Sequence, residues 1–151
     1  MITLRAACPG EGQVLYEITE ASIRGLAASH YSPELIAEWM NGRDVALYEE
    51  AIAQGGVTIA VEAAKTLGFV EAAQGEITRL FVWPEAAGQG LGRRLLEQGI
   101  SMAVEGEIWL NATLNAAPFY KHCGFMPLRR EIYRRDDGVK VEIVRMLRPA
   151  D

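Results

Sequence analysis

The chain has 151 residues, 50% of them hydrophobic, a size and composition that predict one globular domain, spanning residues 1–151, with a core of its own. A formal net charge of −5 argues against nucleic acid as a main partner. Cys8 and Cys123 are too few for a disulfide framework, and with only His30 and His122 beside them no metal-ligand cluster has the right spacing, so no metal is expected. The opening MITLRAACPGEG lacks the apolar run of a secretory signal, and no stretch reaches transmembrane length. The expectation is a cytoplasmic protein with no membrane partner.

Ile2, Leu4 and Ala6 alternate as in a strand. Val14, Leu15, Ile18, Ser22 and Gly25 recur at helical spacing. Ser32-Pro33-Glu34 opens a second helix with a cap, an early proline and an acid; Leu35, Ile36, Trp39 and Met40 form its apolar face, and Asn41-Gly42 ends it. Residues 44–53 carry only a weak helical pattern. After Gly55-Gly56 the pattern turns to strands: Val57, Ile59 and Val61 alternate, Leu67 to Val70 is apolar, and Ala73-Gln74-Gly75 is a turn. The third strand of this group starts at Glu76. Its apolar positions are Ile77, Leu80 and Val82, and the odd step from 77 to 80 predicts a β-bulge.

Pro84 stops that strand. Gly88, Gly90 and Gly92 follow at alternate positions, and an amphipathic helix opens with Leu91, Leu95 and Leu96, running to about residue 104. Glycines at a strand-to-helix junction expose backbone N–H groups, and the first helical turn adds unpaired donors and the positive end of the helix dipole. Such a junction suits a pyrophosphate, and so a nucleotide-like cofactor. Ile108 to Leu110 is a short strand. Asn115 is placed as the cap of a helix with Pro118 in its first turn, burying Phe119 and Cys123, and Gly124 stops it. Phe125 and Met126 lead into a strand that returns through Asp136-Asp137-Gly138 to Val139, Val141, Ile143 and Val144. The predicted order is β-α-α-β-β-β-α-β-α-β-β, an α+β (mixed α/β) fold with a mixed, mostly antiparallel sheet and helices on both faces.

The segments EITRLFVWPEAAGQGLGRRLL and NATLNAAPFYKHCGF, in this element order, resemble the GNAT superfamily of N-acetyltransferases. The resemblance is strong over residues 75–128 and rests before Gly55 on element order alone. The family's Arg/Gln-x-x-Gly-x-Gly/Ala turn falls on Ala87, Gly88, Gln89, Gly90, Leu91 and Gly92, and its Phe-Tyr-x-x-x-Gly-Phe motif on Phe119, Tyr120, Gly124 and Phe125. Ala87 departs from the pattern and removes a polar side chain beside the phosphates. No dinucleotide fingerprint follows the first strand of a βαβ unit, and no Gly-Lys-Ser/Thr completes a P-loop.

The resemblance implies acetyl-CoA as co-substrate. Gly88, Gly90 and Gly92, with the amides of Gln89 and Arg93, would hold its pyrophosphate, Arg93 and Arg94 partly compensating for Ala87. Phe81 and Val82 would pair their backbone with the pantetheine arm, as in strand addition. Tyr120 would face the cofactor sulfur. With a pKa of about 10 against about 8.5 for a thiol, it would stabilise the departing thiolate by hydrogen bonding at least as readily as by full proton transfer. Glu76 matches a general-base glutamate, the alternative being a water chain with Glu76 a strand-start acid facing solvent. Asn115 is read first as a cap, with a cofactor contact as its other role. Tyr31, with His30 and Trp39, falls where relatives build the acceptor pocket; core packing is the simpler role for Trp39, and Tyr31 is assigned to substrate. Cys123 is read as a small buried hydrophobe.

The function implied is acetyl transfer from acetyl-CoA to a primary amine by direct attack in a ternary complex, since no cysteine is placed to act as a nucleophile. The competing reading is a non-catalytic CoA-binding sensor on the same fold, and a third is a binding module without CoA. The acidic net charge favours a cationic amine, but a small amino acid, a polyamine, a drug or a protein terminus are all compatible, because the fold does not fix the acceptor. The oligomeric state is open, a homodimer included.

Overall fold

The structure is a computed structural model, described for residues 1–103, 106–134 and 138–150. In chain order it comprises β1 (Thr3–Ala6), α1 (Gly12–Leu26), α2 (Pro33–Met40), α3 (Val45–Ala53), β2 (Val57–Glu62), β3 (Lys65–Ala73), β4 (Glu76–Val82), a 3-10 turn (Pro84–Ala86), α4 (Leu91–Met102), β5 (Ile108–Thr113), α5 (Ala117–His122), β6 (Met126–Arg134) and β7 (Lys140–Arg148). The start of α2 follows its sequence: Ser32 Oγ accepts from the Leu35 N–H at 3.1 Å, with Pro33 in the first turn. Between β1 and β2 the structure has three helices where two were predicted. The third, α3, is capped by Asp44, whose carboxylate accepts from the Leu47 N–H at 3.2 Å. Apolar residues surround α3 on most sides, so its periodic signal is weak, yet it buries Tyr48, Ala51 and Ile52.

The strands form one seven-stranded sheet in the order β1-β2-β3-β4-β5-β7-β6. Every neighbouring pair is antiparallel except β4 and β5, which run parallel. The bulge predicted in β4 is present: Arg79 pairs with Glu71 and Ile77 with Ala72, so Thr78 is the extra residue. It keeps Ile77, Leu80 and Val82 on one face despite the odd step, while Phe81 packs on the other.

Helices cover both faces. Leu91, Leu95 and Leu96 of α4 pack with Val70, Ile77, Leu110 and Met146 on one side. A Cβ on Gly99 would approach Val70 Cγ2 to 2.8 Å and Ile77 Cδ1 to 2.9 Å, so α4 lies almost directly on the sheet. On the opposite face α1 and α3 bury Leu15, Ile18, Tyr48 and Ile52 against Ile59 and Phe69, while Ile23 and the α2 residues Ile36, Trp39 and Met40 pack toward Val141 and Ile143. At the β6 edge Met126, Leu128, Ile132 and Tyr133 are exposed. Of the turn predicted between β6 and β7, Asp136 and Asp137 lie outside the described residues.

Candidate active site

The two parallel strands at the centre of the sheet barely pair. β4 and β5 are in register only at Glu76–Trp109 and Ile77–Leu110. Beyond those positions β4 stays bonded to β3 as far as Val82, and β5 to β7 as far as Thr113, so the two strands diverge toward their C-terminal ends. The result is a wedge-shaped gap with backbone polar groups along its edges. The Trp83 N–H donates to the Leu67 carbonyl at 2.9 Å. Antiparallel alternation then turns the backbone of Arg79 and Phe81 toward β3, and that of Leu80 and Val82 into the gap. This corrects one expectation. Val82 does present its backbone to the gap, whereas Phe81 is engaged with Phe69 and its place is taken by Leu80. The Phe81 side chain lies on the α1/α2 face, its ring 6.0 Å from that of Phe69.

At the open end of the wedge lies the glycine-rich turn. Gly88 and Gly90 have φ of +81° and +82°, the left-handed region where a side chain is strained. Gly90 is the N-cap of α4 and no side chain caps the helix. The first helical bond is from the Arg94 N–H to the Gly90 carbonyl at 3.2 Å, so the N–H groups of Leu91, Gly92 and Arg93 have no intrahelical acceptor. Ala87, Gly88, Gln89 and Gly90 are exposed. Gly92 faces Phe119 where α4 meets α5; a Cβ there would stand 3.4 Å from Phe119 Cζ, an ordinary contact distance. The Arg93 side chain pairs with Glu97 at 3.4 Å, and Arg94 reaches the Ile2 carbonyl at 3.4 Å.

Tyr120 sits on the α4 side of the sheet. It is buried with Leu91, Leu95 and Ile77, its ring edge-on to Phe119 at 5.2 Å and to Phe125 at 6.0 Å. Burial, with a smaller contribution from Cys123, pushes its hydroxyl pKa well above the usual tyrosine value, so it remains a donor throughout the working pH range. Cys123 is half-buried, and burial raises its thiol pKa despite the nearby Arg93. Asn115 is not the cap of α5. That position belongs to Ala116, in right-handed helical conformation and with no side-chain bond. Asn115 Oδ1 is instead buried with no hydrogen-bond partner among the described residues. An orphaned buried acceptor costs about 1–3 kcal/mol, a cost a bound ligand's N–H would remove.

On the opposite face a cleft of about 320 Å³ crosses the gap, with Trp39, Arg43, Glu76, Arg79, Phe81 and Asn111 among the residues that line it. Glu76 is at the closed end of the wedge, where β4 still pairs with β5. Its carboxylate is partly exposed and stands 3.9 Å from the Arg145 guanidinium, which also donates to Asn111 Oδ1 at 3.0 Å and lies over the Trp109 ring. Glu71 and Arg79 form a close ion pair. Glu76 and Tyr120 thus lie on opposite faces of the sheet. Tyr31, expected to meet substrate, does not line this cleft. Its hydroxyl donates to the Glu142 carbonyl at 2.5 Å and accepts from the Leu114 N–H at 2.9 Å. It therefore ties the end of β5 to β7, stacked edge-on against Trp39. Trp39 combines core packing with a place in the cleft wall, and His30 is exposed. Sequence reasoning missed Arg43, Arg79, Asn111 and Arg145. Each comes from a different element, and no local spacing links them.

Comparison with known proteins agrees with this architecture. The chain is 31% identical over 130 residues to the uncharacterized N-acetyltransferase YafP of Escherichia coli K12, covering 86% of this chain and 85% of that protein. Its fold superimposes on a GCN5-related N-acetyltransferase from Rhodopseudomonas palustris with a TM-score of 0.90 at 24% identity, over 97% of this chain and 94% of the other. It also matches the PaiA N-acetyltransferase of Thermoplasma acidophilum, solved in complex with coenzyme A, with a TM-score of 0.77 at 20% identity over 99% of both chains. Residues 27–146 match the acetyltransferase (GNAT) domain family. With that match across most of its length, the split sheet and the glycine turn ahead of α4, the chain belongs to the GNAT acetyltransferases.

Proposed function

We infer that the protein transfers an acetyl group from acetyl-CoA to a primary amine, which attacks directly in a ternary complex. The observation that carries this reading is the divergence of β4 from β5 after only two paired positions. The gap offers hydrogen-bonding backbone to an amide-containing arm from one side and opens onto an acceptor cleft on the other. The residues fit acetyl-CoA: the uncapped first turn of α4 behind Gly88 and Gly90 suits a pyrophosphate, the backbone of Leu80 and Val82 suits the pantetheine amides, and the orphaned Asn115 Oδ1 suits an amide N–H. A PaiA relative of the same fold was solved with coenzyme A, which supports the assignment.

When bound, the thioester supplies an activated acetyl group and a sulfur leaving group. The protein's residues handle the protons and the geometry. An acceptor amine with a pKa of about 10 arrives as ammonium and must lose a proton before it can attack. Glu76, partly exposed at the closed end of the wedge, takes that proton directly or through water. Tyr120, on the other face, donates a hydrogen bond to the sulfur as the carbon–sulfur bond breaks. Burial raises its pKa further above that of a thiol, so the proton stays on tyrosine and the hydroxyl acts by stabilising developing negative charge. The test is to incubate the protein with acetyl-CoA and a panel of amines, following free thiol and N-acetylated product together. Amine-dependent formation of both supports the reading. Binding of acetyl-CoA without turnover of any amine would move the protein to the sensor reading.

A further inference from the structure

Among the described residues, the acceptor cleft holds one guanidinium, that of Arg43, without a carboxylate partner. Among the described residues, Arg43, Glu71, Glu76 and Arg79 are the charged side chains in its wall, and Arg145 stands beside Glu76. Glu71 and Arg79 neutralise each other in a close pair. Arg145 is held by Asn111, by the Trp109 ring and, at 3.9 Å, by Glu76. Arg43 has no carboxylate partner among the described residues. It donates through Nε to the Trp39 carbonyl at 3.4 Å and through Nη1 to the Tyr48 hydroxyl at 3.1 Å. These two bonds fix the guanidinium at the end of α2 and leave donors on its outer edge unassigned. Arginine presents five N–H donors in a planar fork that matches a carboxylate. The rest of the wall combines the apolar Trp39, Phe81, Val141 and Ile143 with the polar Thr78, Asn111 and Thr113.

The geometry points to a small amino-carboxylic acid as the acceptor, its carboxylate held by Arg43, its amino group directed to Glu76 and its apolar side chain set against Trp39 and Phe81. This rests on the acetyl-transfer reading and names the substrate class for it. Two further features favour it over a polyamine or a protein terminus. A cleft of about 320 Å³ is at the small end of the roughly 300–1,000 Å³ typical of small-molecule sites. A purely cationic acceptor would meet Arg43, which has no carboxylate partner among the described residues, and like charges disfavour binding. Among the described residues the local balance thus reverses the inference from the net charge of −5.

The experiment compares matched acceptors that differ only in the carboxylate: phenylalanine, phenylalaninamide and phenethylamine, with leucine, leucinamide and isoamylamine as a second set. Thiol release from acetyl-CoA gives kcat/KM for each. The expected result is a preference of at least tenfold for the acid over both of its matched partners in one or both sets. In Arg43→Gln that ratio falls toward one, and in Arg43→Lys an intermediate ratio is retained. Comparing ratios between variants cancels the differing amine pKa values. Should Arg43→Gln fail to fold, the unmodified protein's ratios and the Arg43→Lys variant still decide the matter. Equal or better turnover of the carboxylate-free amines, or a ratio unmoved by Arg43→Gln, overturns the inference while leaving acetyl transfer intact. Acetyl-CoA binding with no turnover of any amine in these sets or in a broad panel overturns both.

Discussion

Asn115→Leu separates a structural role from a binding role, because the two predict opposite signs. Asn115 precedes Ala116, which caps α5 without a side-chain bond, and its Oδ1 is buried with no partner among the described residues. A buried acceptor left unsatisfied costs about 1–3 kcal/mol, and an apolar group of similar size relieves that cost. Some of the gain is lost to imperfect shape, so a net increase in stability of about 1 kcal/mol is expected for the ligand-free protein. For a chain of this size that corresponds to a rise in Tm of about 2–4 °C. Acetyl-CoA affinity should move the other way. Loss of one amide hydrogen bond, with the ligand's N–H left unpaired, is worth about 1.4 kcal/mol, or roughly tenfold in Kd. Thermal unfolding followed by circular dichroism and titration calorimetry with acetyl-CoA give the two numbers. A lower ligand-free Tm with unchanged acetyl-CoA affinity would refute the reasoning and make Asn115 a structural residue.

Tyr120→Phe should reduce kcat by about 10²–10³ with little change in acetyl-CoA affinity, since the ring contacts to Phe119 and Phe125 are kept and only the hydroxyl is lost; single-turnover rates would show whether chemistry or product release is affected. The same tyrosine has a folded pKa raised above its unfolded value of about 10, so its contribution to stability is full below pH ~10 and is lost as pH rises through the folded value. Denaturant titrations should accordingly show Tyr120→Phe losing less stability than the parent between pH 9 and about 11. Gly90→Asp puts a carboxylate at the N-cap of α4, where φ is +82°, and should abolish the rise in Tm that acetyl-CoA produces while the protein stays folded. Ala87→Arg introduces a charge-assisted donor at an exposed position just before Gly88 and should tighten acetyl-CoA binding by about 1.5–3 kcal/mol in calorimetry if the guanidinium reaches the phosphates.

The parts legible in the sequence are those set by local rules. The bulge at Thr78 followed from a step of three between Ile77 and Leu80, because apolar side chains must stay on one face of a half-buried strand. The cradle before α4 followed from glycines at positions where the chain needs positive φ. Local rules also misled. Asn115 precedes a proline-started helix as a cap would, but the chain is already helical at Ala116, which moves the amide into the buried site. Tyr31 lies near the cleft in sequence terms, yet its hydroxyl is held by Leu114 and Glu142, more than a hundred residues apart from one of them by chain order. The cleft across the gap was not legible at all. It draws Arg43 from the link after α2, Glu71 from β3, Asn111 from β5 and Ile143 from β7, and only the folded sheet brings these together.

The most direct measurement combines amine-dependent thiol release with the intact mass of the protein. Acetyl transfer in a ternary complex predicts thiol release only when acetyl-CoA and an acceptor amine are both present, one acetyl-amine formed per thiol, and an unchanged protein mass after incubation with acetyl-CoA alone. Thiol release in the absence of amine with a stably acetylated protein, or no amine-dependent release from any acceptor, would contradict the account.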